Sequence, residues 1–171
     1  DHVTRNLAEP LGDPALLPTW LLSEAAARDV KVVLSGEGAD ELFGGYPTYL
    51  GHRWAERYAS LPPPIRKTLH QLVHRLPVSG RKVSLEFLAK RFVDEAEEDT
   101  FRRHLAWFGA LGPAATEVSL SAKGSSLPAQ WARLSPISDP IKRCMLFDLV
   151  TYLAENLLTK VDRATMLASV E

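Results

Sequence analysis

Val32-Val33-Leu34-Ser35-Gly36-Glu37-Gly38-Ala39-Asp40-Glu41-Leu42-Phe43-Gly44-Gly45-Tyr46 joins a β-branched apolar run to a glycine-spaced acidic loop and then to a helix-like segment. The apolar part, Val30–Leu34, has the length and composition of one buried parallel strand. Gly36 and Gly38 let the backbone turn tightly and approach a ligand. The start of the following helix offers free N–H groups to an anion such as phosphate. The loop holds no lysine, and Glu37, Asp40 and Glu41 repel phosphate unless a metal ion or nearby cations intervene. Carboxylates beside such a site suit Mg²⁺ ligation or general-base work, so the stretch points to nucleotide chemistry. A plainer reading stands beside that one: the acids cap a short helix and face water.

On the N-terminal side, residues 6–13 read as an irregular loop broken by proline and glycine. Asp13 is a good N-cap for a helix opening at Pro14. Pro18 predicts that the first turn is a separate 3₁₀ piece, with the regular helix running from Trp20 to Arg28. Helix, strand and loop in that order make half of an α/β unit, and a lone strand cannot satisfy its own ladder. On the C-terminal side the spacing predicts helices over 48–60, 65–76, 84–92 and 95–108, with prolines 62–64 and Pro77 as stops. The acidic run Asp94–Asp99 is expected at the start of the last of these, where it suits the helix dipole. Residues 109–139 read as short helices and loops. Asp139-Pro140 opens the clearest helix, with Ile141, Met145, Leu149, Tyr152 and Leu153 on its apolar face and helix potential to Glu171.

The 171 residues suffice for a real core, and a hydrophobic content of 46% with 24% charged residues is ordinary for a globular chain. A net charge of −1 gives no global attraction to nucleic acid or an anionic membrane, and no apolar run is long enough to span a bilayer. The single cysteine, Cys144, excludes an internal disulfide framework and a thiolate-rich metal site. It reads as a buried thiol in a reducing, cytoplasmic setting. The absence of an initiator methionine, together with an end inside a helical pattern, predicts a piece of a longer polypeptide.

A second candidate site is the run Leu157–Met166. On a helix Asn156, Lys160 and Arg163 fall at i, i+4 and i+7 and share one face. Such a face is either a solvated basic surface or a phosphate site, with Lys160 as a point charge and Arg163 as a fork. Tyr46 and Tyr49 read as packing residues. The five histidines, His2, His52, His70, His74 and His104, lack ligand company and are expected at the surface; His70 and His74 stand at i, i+4, but on an ordinary amphipathic helix without a zincin glutamate.

These residues resemble a known family. Glu9-Pro10 with Asp13-Pro14 and Leu17-Pro18-Thr19, the loop Leu34–Tyr46, and Leu157–Met166 followed by Ser169-Val170-Glu171 look like the synthetase domain of glutamine-hydrolysing asparagine synthetases. The blocks occur in order, and the match covers nearly the whole chain. The resemblance implies that residues 1–171 are a mostly α-helical fragment with one parallel strand, part of an ATP-pyrophosphatase α/β domain. The N-terminal glutaminase domain and the Ser-Gly-Gly-x-Asp-Ser pyrophosphate loop of the family are absent from this sequence.

It further implies that aspartate attacks ATP to give β-aspartyl-AMP and pyrophosphate, and that glutamine-derived ammonia then displaces AMP, with Mg²⁺ on the phosphates. Glu37 matches the glutamate near the reacting carbonyl, and Arg163 matches a pyrophosphate contact, with Lys160 as a second contributor. Ser35, Gly36, Gly38 and Asp40 belong to the ATP and pyrophosphate loop. Many relatives carry aspartate where this chain has Ala8, an acid that would ligate Mg²⁺, so metal binding here relies on Glu9, relies on residues outside this chain, or is impaired. Alone, the chain is expected to be inactive. An exposed apolar strand edge invites a homodimer. Two other readings are a related carboxylate-adenylating ligase, of β-lactam synthetase or peptide cyclase type, and a non-catalytic helical interaction module.

Overall fold

A computed structural model describes residues 11–77, 84–108, 120–121 and 124–171. The described chain is helical, and it divides into two units, residues 1–44 with 146–171, and residues 45–145.

In the first unit, α1 spans Leu16–Ala26. Asp13 is not its N-cap, contrary to expectation: Ala15 holds that position, and Asp13 Oδ1 accepts the Ala15 N–H at 2.8 Å in the turn that precedes the helix. Pro18 does not interrupt it, contrary to expectation. Pro18 is the third residue of the helix, where a backbone N–H would have no intrahelical partner to lose. The predicted strand is the main correction. Among the described residues there is no strand, and Val30–Leu34 is an irregular segment with a bend at Lys31, Val32 61% and Leu34 96% exposed. Among the described residues its ladder-like bonds are Val33 N–H to Glu171 O at 2.6 Å and Glu171 N–H to Lys31 O at 2.9 Å. Two bonds to one residue cannot make a ladder, because each strand residue needs a neighbouring strand for its N–H and C=O.

The five-residue α2, Ala39–Phe43, follows Gly38, whose φ of 89° lies in the left-handed region that favours glycine. The long C-terminal helix forms as predicted, with a feature its spacing did not reveal. Pro140–Asp148 (α8) and Leu158–Ala168 (α9) are α-helical, but Leu149–Leu157 is π-helical. Leu16 on α1 and Ala164 on α9 form the buried centre of this unit, flanked by Leu11, Trp20 and Leu167. Ser169 ends α9 with φ 58°, and the Val170 N–H reaches the Thr165 carbonyl in a Schellman-type cap.

The second unit contains α3 (Pro47–Ala59), α4 (Pro63–His74), α5 (Leu85–Glu95), α6 (Thr100–Phe108), α7 (Leu127–Arg133) and the start of α8. Prolines 62–64 end α3 as expected and also open α4, whose first turn accepts residues without an N–H. The acidic run is placed differently from the sequence expectation. Asp94 and Glu95 close α5, and only Asp99 caps α6, accepting the N–H groups of Phe101 and Arg102. Arg103 reaches back to the Ala96 and Glu98 carbonyls, supplying the positive charge that a helix C-terminus favours. Ala55, Tyr58, Val93, Ala96 and Trp107 form the core. Gly51 lies against Trp107, with no room for a side chain. Tyr46 and Tyr49 pack as expected, Tyr46 edge-on to Phe108 and Tyr49 stacked on His104.

Candidate functional site around Lys160

The packing of α1 on α9 delivers the site. Ala164 has no exposed surface and touches Leu16, so the two helices approach closely there. Lys160 lies one turn before Ala164 on the same face, and Asp13 lies just before Leu16. The Lys160 ammonium is 3.2 Å from Asp13 Oδ2 and 3.1 Å from Glu37 Oε1. Its side chain is 5% exposed, against 12% for Asp13 and 29% for Glu37. Asp13 is oriented because its other oxygen accepts the Ala15 N–H in the turn that leads into α1.

Burial pulls the Lys160 ammonium down, but its hydrogen bonds to Glu37 and Asp13, and their charges, outweigh this and hold it above the usual lysine value. Lys160 is therefore a cation at neutral pH, unable to act as a base or nucleophile. An ammonium has three N–H donors, so one remains beyond the two carboxylate pairs. Tyr152 belongs to the same cluster. Burial raises its hydroxyl, the charges of Asp13 and Glu41 raise it further, and Lys160 and a hydrogen bond from Asn156 oppose them. Glu41 is fully buried.

The structure thus brings Glu37 and Lys160 together and leaves the other predicted residues apart from the pair. Arg163 is exposed on α9, and Ser35, Gly36 and Asp40 are exposed on the loop. The glycine constraint falls on Gly38, where an added Cβ would lie 3.2 Å from Leu153 Cδ2. Gly36 has open space around it. Ala8 and Glu9 lie outside the described residues. The sequence reading missed Asp13 as a ligand of Lys160 and Tyr152 as a member of the cluster. Tyr152, Asn156 and Lys160 recur every four residues, and that signal was available.

Asp13 and Glu37 do not fit a divalent cation in this arrangement, because the Lys160 ammonium already lies between their oxygens. His52 and His104 are buried, not at the surface as expected, because they pack among the rings of Tyr49, Trp107 and Phe108. With Cys144 they form a buried set in the second unit that is also a poor metal site. The Arg103 Nε–H donates to His52 Nδ1 at 3.1 Å, so the neutral ring carries its proton on Nε2. That proton is directed at His104 Nδ1, 3.2 Å away, with Cys144 Sγ at 3.6 Å. The thiol is buried, as expected from the sequence. No helix among the described residues is long and apolar enough to cross a membrane.

The acidic loop and the helix that carries Lys160 are two of the blocks on which the resemblance rests, and comparison with known proteins gives the chain a family. The asparagine synthase family model matches residues 1–171, and the chain belongs to that family. It is 34% identical over 170 residues, 96% of this chain, to a Mycobacterium bovis protein that bears the name of a glutamine-hydrolysing asparagine synthetase. It is 29% identical over 95% of this chain to asparagine synthetase (glutamine-hydrolysing) 1 of Bacillus subtilis. A Methanocaldococcus jannaschii protein named in the same way is 31% identical over 93% of this chain. The chain spans only 25%, 26% and 30% of the lengths of these relatives. No solved structure gives a significant match.

Proposed function

We propose that this chain is part of a ligase that makes an amide from aspartate and glutamine-derived ammonia, consuming ATP through a β-aspartyl-AMP intermediate. The observation that supports the reading best is Glu37 held at 3.1 Å by a buried ammonium inside the family's acidic loop. A carboxylate fixed in that way has a defined direction while remaining partly open to a ligand. Its task is to orient ammonia and take the proton that the nitrogen loses as the C–N bond forms and AMP departs. Lys160 acts chiefly as a positioning cation for Glu37, and its remaining N–H is available to a phosphate oxygen. Arg163, exposed one turn further along α9, is the fork for the pyrophosphate released when aspartate attacks ATP. Ser35, Gly36, Gly38 and Asp40 shape the loop against the nucleotide. Ammonia comes from a glutaminase domain of the same polypeptide, in the cytoplasm. Mg²⁺ would ride on the nucleotide phosphates, and no step is assigned to it, since Asp13 and Glu37 are taken by Lys160.

The test is pyrophosphate release and amide formation by the full-length polypeptide supplied with ATP, glutamine and a panel of carboxylates. Aspartate should be required. Glu37→Gln should cut amide formation about 100-fold or more while leaving aspartate-dependent pyrophosphate exchange largely intact. Arg163→Leu should depress the exchange itself. Activity with other carboxylates and none with aspartate would move the reading to a related adenylating ligase. Full activity in Glu37→Gln would end the role given to that residue. The exposed run Val32–Leu34 is also a surface for pairing with a second copy, and a clean monomer in size-exclusion chromatography would remove that expectation.

A further inference from the structure

On the second unit, α4 and α5 meet in a group of side chains that the reaction does not use. His70 Nε2 lies 3.0 Å, and His74 Nε2 2.7 Å, from the same oxygen, Asp94 Oδ1. The two rings are neighbours on α4, with centroids 4.4 Å apart, and Asp94 comes from α5, 20 residues further along the chain from His74. All three side chains keep between 41% and 45% of their surface exposed. We propose that His70, His74 and Asp94 form a surface site for a divalent transition-metal ion of the zinc, nickel or copper class.

The chemistry of the donors selects the ion. Two imidazole nitrogens and one carboxylate oxygen suit these borderline metals, whereas Mg²⁺ and Ca²⁺ prefer all-oxygen shells. Spacing also fits. With metal–nitrogen bonds of about 2.0–2.1 Å, adjacent ligand atoms of one ion stand roughly 2.9–3.3 Å apart in octahedral or tetrahedral geometry. The two histidine–carboxylate separations need only a few tenths of an ångström of adjustment. All three ligand atoms lie within 4.8 Å of one another, and exposed side chains can close the remaining gap between the two imidazole nitrogens. Without metal each Nε2 directs a proton at the shared carboxylate oxygen. On binding, each neutral ring moves that proton to Nδ1 and gives the Nε2 lone pair to the ion. Three protein ligands leave at least one position to water.

The surroundings permit a cation. Arg66 lies one turn before His70 on the same stripe of α4, and its charge is taken by Glu97 at 2.8 Å. An ion held here would clamp α4 to the end of α5. The two histidines were visible in the sequence as an i, i+4 pair, but the third ligand is non-local and appears only in the fold.

The test is titration of the purified, tag-free protein with ZnCl₂ and NiCl₂ in a non-coordinating buffer near neutral pH, read by calorimetry and thermal melting. One ion per chain should bind, the melting temperature should rise, and a large excess of MgCl₂ should not compete. Affinity should fall as acid protonates the imidazoles. Asp94→Asn should weaken binding at least about tenfold, and the double variant His70→Gln/His74→Gln by more than about 100-fold. Circular dichroism of each variant controls for folding, and anomalous scattering from a zinc-soaked crystal should locate the ion among the three side chains. Failure of the wild-type protein to bind would overturn the proposal and leave a hydrogen-bonded clasp only. Undiminished binding by the folded double variant, or an ion located elsewhere, would overturn it equally.

Discussion

Replacing Lys160 with methionine is the sharpest test of the site. Methionine preserves most of the stem and removes the charge. The substitution leaves Asp13, with 12% of its side chain exposed, and Glu37, with 29%, facing each other across the emptied position. Each attraction at about 3.2 Å is worth on the order of 5 kcal/mol at an effective dielectric constant of about 20, before desolvation is subtracted. Breaking a buried pair by deleting one partner costs about 3–5 kcal/mol, and the exposure of Glu37 lowers that range. A loss of about 2–4 kcal/mol is expected, read as a shift of the urea midpoint at neutral pH with tryptophan fluorescence and far-ultraviolet circular dichroism. The decisive comparison adds Asp13→Asn and Glu37→Gln to Lys160→Met. With no uncompensated charge left, the triple variant should be more stable than the single one. A Lys160→Met variant within about 0.5 kcal/mol of wild type would refute the reasoning, as would a triple variant no better than the single.

Three further outcomes are expected. Gly51→Ala would place a Cβ 2.8 Å from Trp107 Cζ3, on a ring held by its Nε1–H bond to the Arg91 carbonyl. Overpacking should outweigh the gain of about 1 kcal/mol in helix propensity, and the melt should show a net loss of about 1–2 kcal/mol. Ser169 sits at φ 58°, so Ser169→Gly should stabilise by about 1 kcal/mol, measurable by denaturant unfolding. Burial, the adjacent His104 and the Arg103 charge push His52 down to about 3. Below pH 6.5 the unfolded chain binds a proton there that the folded chain refuses, so this contribution is complete above that pH. It is lost progressively between about 6.5 and 3, by at most about 5 kcal/mol. The pH dependence of stability should flatten over that window in His52→Gln, and an unchanged slope would show that His52 is not its source.

What the sequence made legible was local. Helices α3 to α6 follow from apolar spacing and proline punctuation, and the Asp139 start of α8 follows from capping chemistry, because both act within a turn or two. The run Val30–Leu34 misled for the opposite reason. β-branched residues favour extended backbone, but a strand exists only when another strand receives its hydrogen bonds. Pro18 was over-read, since its effect depends on its exact place in the helix. The π-helical stretch Leu149–Leu157 leaves no mark in an apolar pattern already suited to an α-helix. Within the site, the Asn156–Lys160 face was visible, whereas Asp13 and Glu37 reach Lys160 only after α1 packs on α9 through Ala164. Asp94 was hidden in the same way from His70 and His74.

The stretch from Lys31 to Glu37 is tied to α9 and the residues after it at two places, Lys31 and Val33 to Glu171 and Glu37 to Lys160. Peptide groups linked in that fashion should open together. The amide protons of Val33 and Glu171 should therefore exchange with solvent at a common opening free energy, and weakening the Lys160 clasp should speed both. In this protein a charge on one helix governs how long the neighbouring backbone stays closed, so the lifetime of the acidic loop in its clasped form is a property of Lys160 as much as of the loop itself.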